Sequence, residues 1–412
     1  MNRSVLALVL ASGCTSSTEP PLVKSDLERN LNPSISDADL DTLVTDNTAF
    51  AADLYRQVRT TDGNLFMSPH SISTALAMTY AGANGTTATQ MAAALHFTLP
   101  PATLHAGLSA LDLALASRAA AATGDTIPFR LHTANSIWGQ EGWEFLAPFL
   151  DTLAVNYGAG LHVLDFQADP EASRQTINAW IEDQTNDKIQ DLLPEGSITE
   201  LTRLVLTNAI YFSAAWSEPF DASDTADRPF HTPTGVAQVP TLYQRAEMRY
   251  GAGEGFRAAE IPYDGEQLSM VVVVPDDLAT FEAHLTGGTL TSITSVLTHH
   301  EVQLTLPKFR FDAPLGLKET LQALGMVDAF TEAADFSGID GTRALSVSDV
   351  LHKGFIGIDE RGTEAAAATA VIVGVTSVPP QAELTVDRPF VFFIRDIPTG
   401  TILFVGRVVD PR

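Results

Sequence analysis

The sequence predicts an α+β fold, and three observations carry that reading. Helical periodicity comes first along the chain, strand-like apolar runs dominate its C-terminal half, and the two are segregated rather than alternating, unlike a doubly wound α/β pattern. The chain has 412 residues, of which 45% are hydrophobic, enough for a large core in one big domain or two ordinary ones. No composition break or internal repeat divides it after Asp46.

Each element has its own local signal. Phe50, Leu54 and Val58 share one helix face. Ser68-Pro69 reads as an N-cap followed by proline at the first helical position; Ile72, Ala75, Leu76 and Thr79 continue that helix, and Gly-Ala-Asn-Gly at 82–85 ends it. Asp169-Pro170 opens another helix with the same chemistry, which should bury Ile177, Trp180 and Ile181. Strands are expected at 203–212, 268–277 and 301–311. The chain closes on two apolar runs around Pro398-Thr399-Gly400, a hairpin.

Charge and motifs exclude several function classes. The formal net charge is -26, and the lysines are Lys24, Lys188, Lys308, Lys318 and Lys353 alone. Such a surface repels nucleic-acid backbones and anionic lipid. No apolar run is long enough for a transmembrane helix. Neither a nucleophile elbow, nor a zinc-protease helix, nor a phosphate-binding loop is present. His299-His300-Glu301 reads as a solvated loop or strand end, since adjacent strand residues point to opposite faces. Gly251 to Gly255 (GAGEG) reads as a tight turn, and Asp221, Ser223 and Thr225 as loop. No metal, cofactor or catalytic constellation is therefore assigned.

The N-terminus, MNRSVLALVLASGC, offers Arg3, a short apolar run from Val5 to Ala11, and small residues before Cys14, the chain's one cysteine. It resembles a bacterial lipoprotein signal, which implies that residues 1–14 end at an acylated Cys14. The alternatives are an ordinary secretory signal or a mis-assigned start. Residues 15–45 are polar and acidic, and read as a flexible tether ahead of a domain at 46–412. The expected location is extracytoplasmic, on an outer membrane or cell surface through that lipid, or secreted.

The stretch ERGTEAAAATAVIVGVTSVPP, 360–380, is compatible with both a strand and an exposed loop. As a strand, one face carries Thr363, Ala365, Ala367, Thr369, Val371, Val373 and Val375, with no charge. Glu364 falls on the other face. Gly362 and the alanines suit a mobile segment, and Pro379-Pro380 would stop a ladder. DERGTEAAAATA resembles the proximal hinge of the serpins. The resemblance continues in NLFMSPHSISTALAMTYAGANGTT, INAWIEDQTNDKIQDLLP, LTNAIYFSAAWSEPF and DRPFVFFIRDIPTGTILFVGRVVDP, and runs from about Asp46 to Pro411.

That resemblance implies a serpin fold of three β-sheets and eight or nine helices, with an exposed reactive-centre loop at about 360–380. It implies an inhibitor, not an enzyme. The partner is a target serine protease, held as a covalent acyl complex once the cut loop inserts into the central sheet. The hinge would be Glu360, Gly362, Thr363, Ala365, Ala366, Ala367 and Ala368. Family spacing counted from Glu360 ends at Thr376, giving Thr376-Ser377 as the reactive bond, with Val375 and Val378 as alternatives. These are small residues, and no arginine or lysine lies between 362 and 387. Elastase-like or subtilisin-like targets are expected, with cysteine proteases left open. Ser68, Ser71, Asn208 and His352 match the family's shutter, and Trp216 with Glu360 its breach, although Ala214-Ala215 stands where relatives usually have a glycine. A heparin-like polyanion is not expected as a partner, because residues 96–126 offer only Arg118. A monomer is expected. The alternative function is a non-inhibitory serpin, cleaved as a substrate.

Overall fold

The structure, a computed structural model, describes residues 19–121, 130–363 and 380–412. Cys14, Ala365, Ala366, Ala367, Ala368, Val375, Thr376, Ser377 and Val378 lie outside the described residues.

The strands, in chain order, are β1 (Leu22–Val23), β2 (Leu65–Met67), β3 (Arg130–Gln140), β4 (Leu161–Leu164), β5 (Leu204–Ala215), β6 (Ala226–Thr232), β7 (Gly235–Gly253), β8 (Phe256–Pro262), β9 (Leu268–Pro275), β10 (Thr298–Pro307), β11 (Phe309–Gly316), β12 (Asp349–Asp359), β13 (Gly362–Thr363), β14 (Gln381–Thr385), β15 (Phe390–Asp396) and β16 (Ile402–Val408). A seven-stranded sheet runs β1-β4-β3-β5-β13-β12-β11. A nine-stranded sheet runs β14-β10-β7-β8-β9-β15-β16-β2, with β6 also on β7. Among the described residues the hydrogen bonds join two of the three expected sheets into one path, because the 19 residues of β7 pair with β6 over Gly235–Thr241, with β10 over Thr241–Tyr250 and with β8 over Arg249–Gly253. Among the described residues there are ten α-helices rather than eight or nine, three of them only four to six residues long.

Capping chemistry sets the helices where the sequence placed them. Ser68 Oγ accepts the Ser71 N–H at 3.2 Å at the head of Pro69–Tyr80, and Asp169 Oδ1 accepts the Ala172 N–H at 3.0 Å at the head of Pro170–Gln184. Ile177 and Ile181 are buried, while Trp180 is half-buried and meets Trp138 edge-on. The apolar residues of β5 alternate between two cores. Ile210, Phe212 and Ala214 face the layer between the sheets; Val205, Ala209 and Tyr211 face the cluster under the helix Pro170–Gln184. All twelve β5 residues are therefore buried, as befits a central strand covered on both faces.

Two expectations are corrected. The single strand expected over 301–311 is two, because the chain leaves one sheet at Pro307, crosses at Lys308 and enters the other at Phe309. The tether expected to reach residue 45 is shorter. Leu22 and Val23 pair with His162 and Leu161 of β4, and the helix Asp37–Val58 begins behind Ser36. The reason is steric: a Cβ on Gly160 would lie 2.6 Å from the Val23 carbonyl oxygen, so the glycine opens a channel for this segment. Arg29 then pairs with Asp112, and the Asn30 N–H bonds the Val155 carbonyl at 2.9 Å.

Candidate functional site

The site is the place where β5 and β12 part. They run parallel and directly paired from Val205↔Asp349 to Tyr211↔Phe355. Above that level β13 stands between them, antiparallel to both: Thr363 pairs with Ala214 and Ile358, Gly362 with Ala215 and Asp359. Gly362 is required there because a Cβ would meet the Ala214 carbonyl oxygen at 2.2 Å.

Side chains around this fork hold the segment from Glu360 to Thr363 in place. Trp216 lies stacked on Tyr263 at 4.6 Å, its Nε1–H donates to the Asp359 carbonyl at 3.0 Å, and its backbone N–H bonds the Arg361 carbonyl at 2.8 Å. The Tyr263 and Thr363 hydroxyls are hydrogen-bonded at 2.7 Å, which turns the hinge threonine into the core. Glu360 holds Lys308 through both oxygens, at 2.9 and 2.8 Å, and takes a third bond from Thr225 Oγ1 at 2.9 Å. Burial alone would raise the Glu360 carboxyl, but the bonds from Lys308 and Thr225 outweigh it and leave its pKa below the usual value.

Below the fork lies a buried polar network. His352 Nδ1 is 2.5 Å from Asn208 Oδ1, and its Nε2 accepts the Ser68 backbone N–H at 3.3 Å. The two contacts together require the neutral imidazole carrying its proton on Nδ1. Asn208 Nδ2 donates to Ser71 Oγ at 2.7 Å and to Asn135 Oδ1, and Ser68 Oγ donates to the Leu403 carbonyl at 2.7 Å. The network therefore pins β5 to β12 and both to the helix Pro69–Tyr80. Burial pushes the His352 pKa down to about 3.

A family model described as serpin (serine protease inhibitor) matches residues 45–411. The chain is a serpin. The leukocyte elastase inhibitor of Bos taurus is 40% identical over 89% of this chain and 98% of its own length. An uncharacterized serpin-like protein of Thermococcus kodakarensis is 37% identical over the whole of both chains. Among solved structures, the thermophilic serpin tengpin in its native state superposes with TM-score 0.82 at 27% identity, over 94% of this chain and 99% of its own.

In this serpin the structure brings the predicted residues into two groups: Glu360, Gly362, Thr363 and Trp216 at the fork, and Ser68, Ser71, Asn208 and His352 beneath it. Sequence reasoning missed Lys308, Thr225, Tyr263 and Asn135. Thr225 was read as plain loop, and Lys308 as mid-strand; only its standing as one of few lysines in an acidic chain could have marked it. The lone basic residue of 96–126, Arg118, is taken up by Asp396 at 2.7 Å.

Gly362→Ala should drive β13 out of the fork. Trypsin should then cut after Arg361 about tenfold faster, and equal digestion rates would refute the seating of Gly362 in the fork. The network also predicts a pH dependence. Because His352 stays neutral in the fold while it protonates near 6.5 when unfolded, its contribution to stability is full above that pH and is lost as pH falls toward about 3. His352→Gln should flatten the pH dependence of unfolding free energy near pH 5 by about 1.4 kcal/mol per pH unit. Parallel urea titrations of the two proteins check it, and identical slopes would contradict it.

Proposed function

We propose that this serine protease inhibitor traps its target by inserting its cut loop between β5 and β12. One observation carries the reading: the registers agree. Extending β13 residue by residue places each following position opposite a β5/β12 pair that already stands side by side, for example 366 opposite Tyr211 and Phe355. Insertion then needs only lateral separation of the two strands, with no sliding. The twelve residues of β5 give a slot reaching from 362 to 373. In it Thr369 would arrive between Asn208 and His352, and Val371 between Leu206 and Val350.

In the proposed reaction the protease serine adds to the carbonyl of the reactive bond, the amine of the next residue leaves with a proton, and an acyl ester joins the two proteins. The freed arm inserts before water hydrolyses the ester. Until the cut, both loop ends are anchored and the uninserted form is held kinetically. The bait is proposed as Thr376-Ser377, and the absence of basic residues around it supports elastase-like or subtilisin-like targets. Leukocyte elastase inhibitors among the relatives support the same class.

Mixed with pancreatic-type elastase, the protein should give a band at the summed mass on a denaturing gel. Ala367→Arg, which puts a charge between Ile210 and Gly354, should raise the amount of inhibitor consumed per protease silenced by about tenfold. Clean cleavage of the parent protein with full protease activity would favour the substrate-type alternative.

We also propose that Cys14 carries a lipid and that the protein works as a monomer outside the cell. Because the chain is already fixed at Leu22, the leash from Cys14 would reach at most about 28 Å. The β1 edge would lie near the membrane, in contrast to a domain hanging on a long tether. Cys14→Ser should abolish labelling by radioactive palmitate, and persistent label would remove the anchor.

A further inference from the structure

A pocket of about 460 Å³ opens beside β11, the last strand of the seven-stranded sheet. Sites for small organic molecules are of this size, about 300–1,000 Å³. Its apolar lining is Phe309, Phe355 and Ile358, all buried, together with Pro240 and Pro411. Three cations share the pocket with them: Lys308, Arg310 and Arg412. In the whole chain, aspartate and glutamate outnumber lysine and arginine by 50 to 24, so a lining with three bases and one acid inverts the balance of the molecule. That acid, Asp359, is already engaged: its Oδ1 accepts the Arg361 N–H at 2.8 Å, and its Oδ2 stands 3.9 Å from the Arg361 guanidinium. The Arg310 guanidinium stands 5.0 Å from the Phe355 ring centre, so charge and aromatic surface come together at one point. Lys308 is where the chain crosses from one sheet to the other, and its Nζ is the group that holds Glu360 at the fork. The pocket and the fork therefore share a side chain.

We propose that this pocket binds a small aromatic carboxylate, and that the bound carboxylate shares Lys308 with Glu360. Neither the bait nor the acyl step enters this site, so it stands apart from the trapping reaction. The chemistry selects the ligand class. A flat apolar body gains by leaving water for the phenylalanine and proline surfaces. Its carboxylate takes charge-assisted hydrogen bonds from the Arg310 fork, which matches a carboxylate in geometry, and from the Lys308 ammonium. A plain hydrocarbon would cover these cations without giving them a partner, which costs free energy. Inorganic phosphate would leave the apolar walls unused. Lys308 already has both Glu360 oxygens within 2.9 Å, so a second carboxylate draws its ammonium partly away from the fork. Coupling between two binding events is reciprocal: whatever Glu360 costs the ligand, the ligand costs the Glu360–Lys308 pair. An occupied pocket thus loosens one of the bonds that seat the hinge, and the ligand acts as an effector of the fork.

The test titrates the full-length protein with naphthalene-2-carboxylate and with its uncharged amide, by calorimetry. The parent should bind the carboxylate saturably and the amide about tenfold more weakly, a gap equivalent to about 1.4 kcal/mol. Arg310→Gln, which keeps most of the stem and removes the charge, should reduce affinity for the carboxylate about tenfold and leave that for the amide unchanged. Glu360→Gln frees Lys308 and should tighten the carboxylate about fivefold, again without effect on the amide. Circular dichroism checks that both variants are folded. No saturable binding by the parent, equal binding of carboxylate and amide, or a parent-like Arg310→Gln would overturn the pocket. The coupling is also read in the unsubstituted protein, so that it does not depend on the Glu360 variant. Saturating carboxylate should speed the cut by trypsin after Arg361 about fivefold, and the amide should not. Equal cutting rates with the two compounds would overturn the sharing of Lys308.

Discussion

The structure depends on one constraint, the shared register of β5, β12 and β13. A strand can enter between two others only if all its cross-strand partners come into line together, since a one-residue slip would turn each side chain to the wrong face. Here the upper fork already obeys that condition at Gly362 and Thr363, and the parallel ladder beneath preserves it. In the proposed mechanism the fork would therefore act as a template. The bare backbone of Gly362 allows the close approach to Ala214, the stacked Trp216 and Tyr263 fill the space behind it, and Glu360 with Lys308 closes the outer side.

The same constraint explains why a polar network lies in the middle of the sheet. An apolar contact between β5 and β12 would hold them by area alone, with no preference for the closed over the opened geometry. The Asn208–His352 bond is directional, and breaking it strands two buried groups until new partners arrive. In the proposed mechanism it would raise the barrier to opening, and an inserted threonine at 369 would supply a replacement hydroxyl. Burial that keeps His352 neutral also keeps this bond free of competition from an imidazolium, whose second proton would displace the Ser68 N–H.

Much of this was legible in the sequence, for identifiable reasons. Ser68-Pro69 and Asp169-Pro170 announce helices because capping is local chemistry. The alternation of β5 and the C-terminal hairpin are likewise local. The site residues were reached only by resemblance: nothing near Asn208 in the chain hints at His352, and their meeting is a product of the parallel pairing of distant strands. Asn135 and Lys308 stayed hidden for the same reason. The N-terminal segment misled because its polar composition resembles a linker, whereas its fate was decided elsewhere, by glycines at 158 and 160 that leave an open channel for it.

The composition of the loop follows from the slot that the proposed mechanism assigns to it. Both faces of β5 are already covered, one by the layer between the sheets and the other by the cluster under the helix Pro170–Gln184. An arriving strand finds large neighbours on both sides: Phe212 and Ile356 beside 365, Tyr211 and Phe355 beside 366. Side chains bigger than alanine at those positions would have to displace rings that are packed in place. Further down, the flanking residues become Leu206 with Val350 at 371 and Val205 with Asp349 at 372, where valine and isoleucine can extend the apolar clusters. The one charged position, Glu364, would come beside Ser213 and Gly357 near the mouth of the sheet, where the flanking groups are small. Alanine early and β-branched residues late is thus the order that this pair of strands, read from the fork downward, would require of its missing partner.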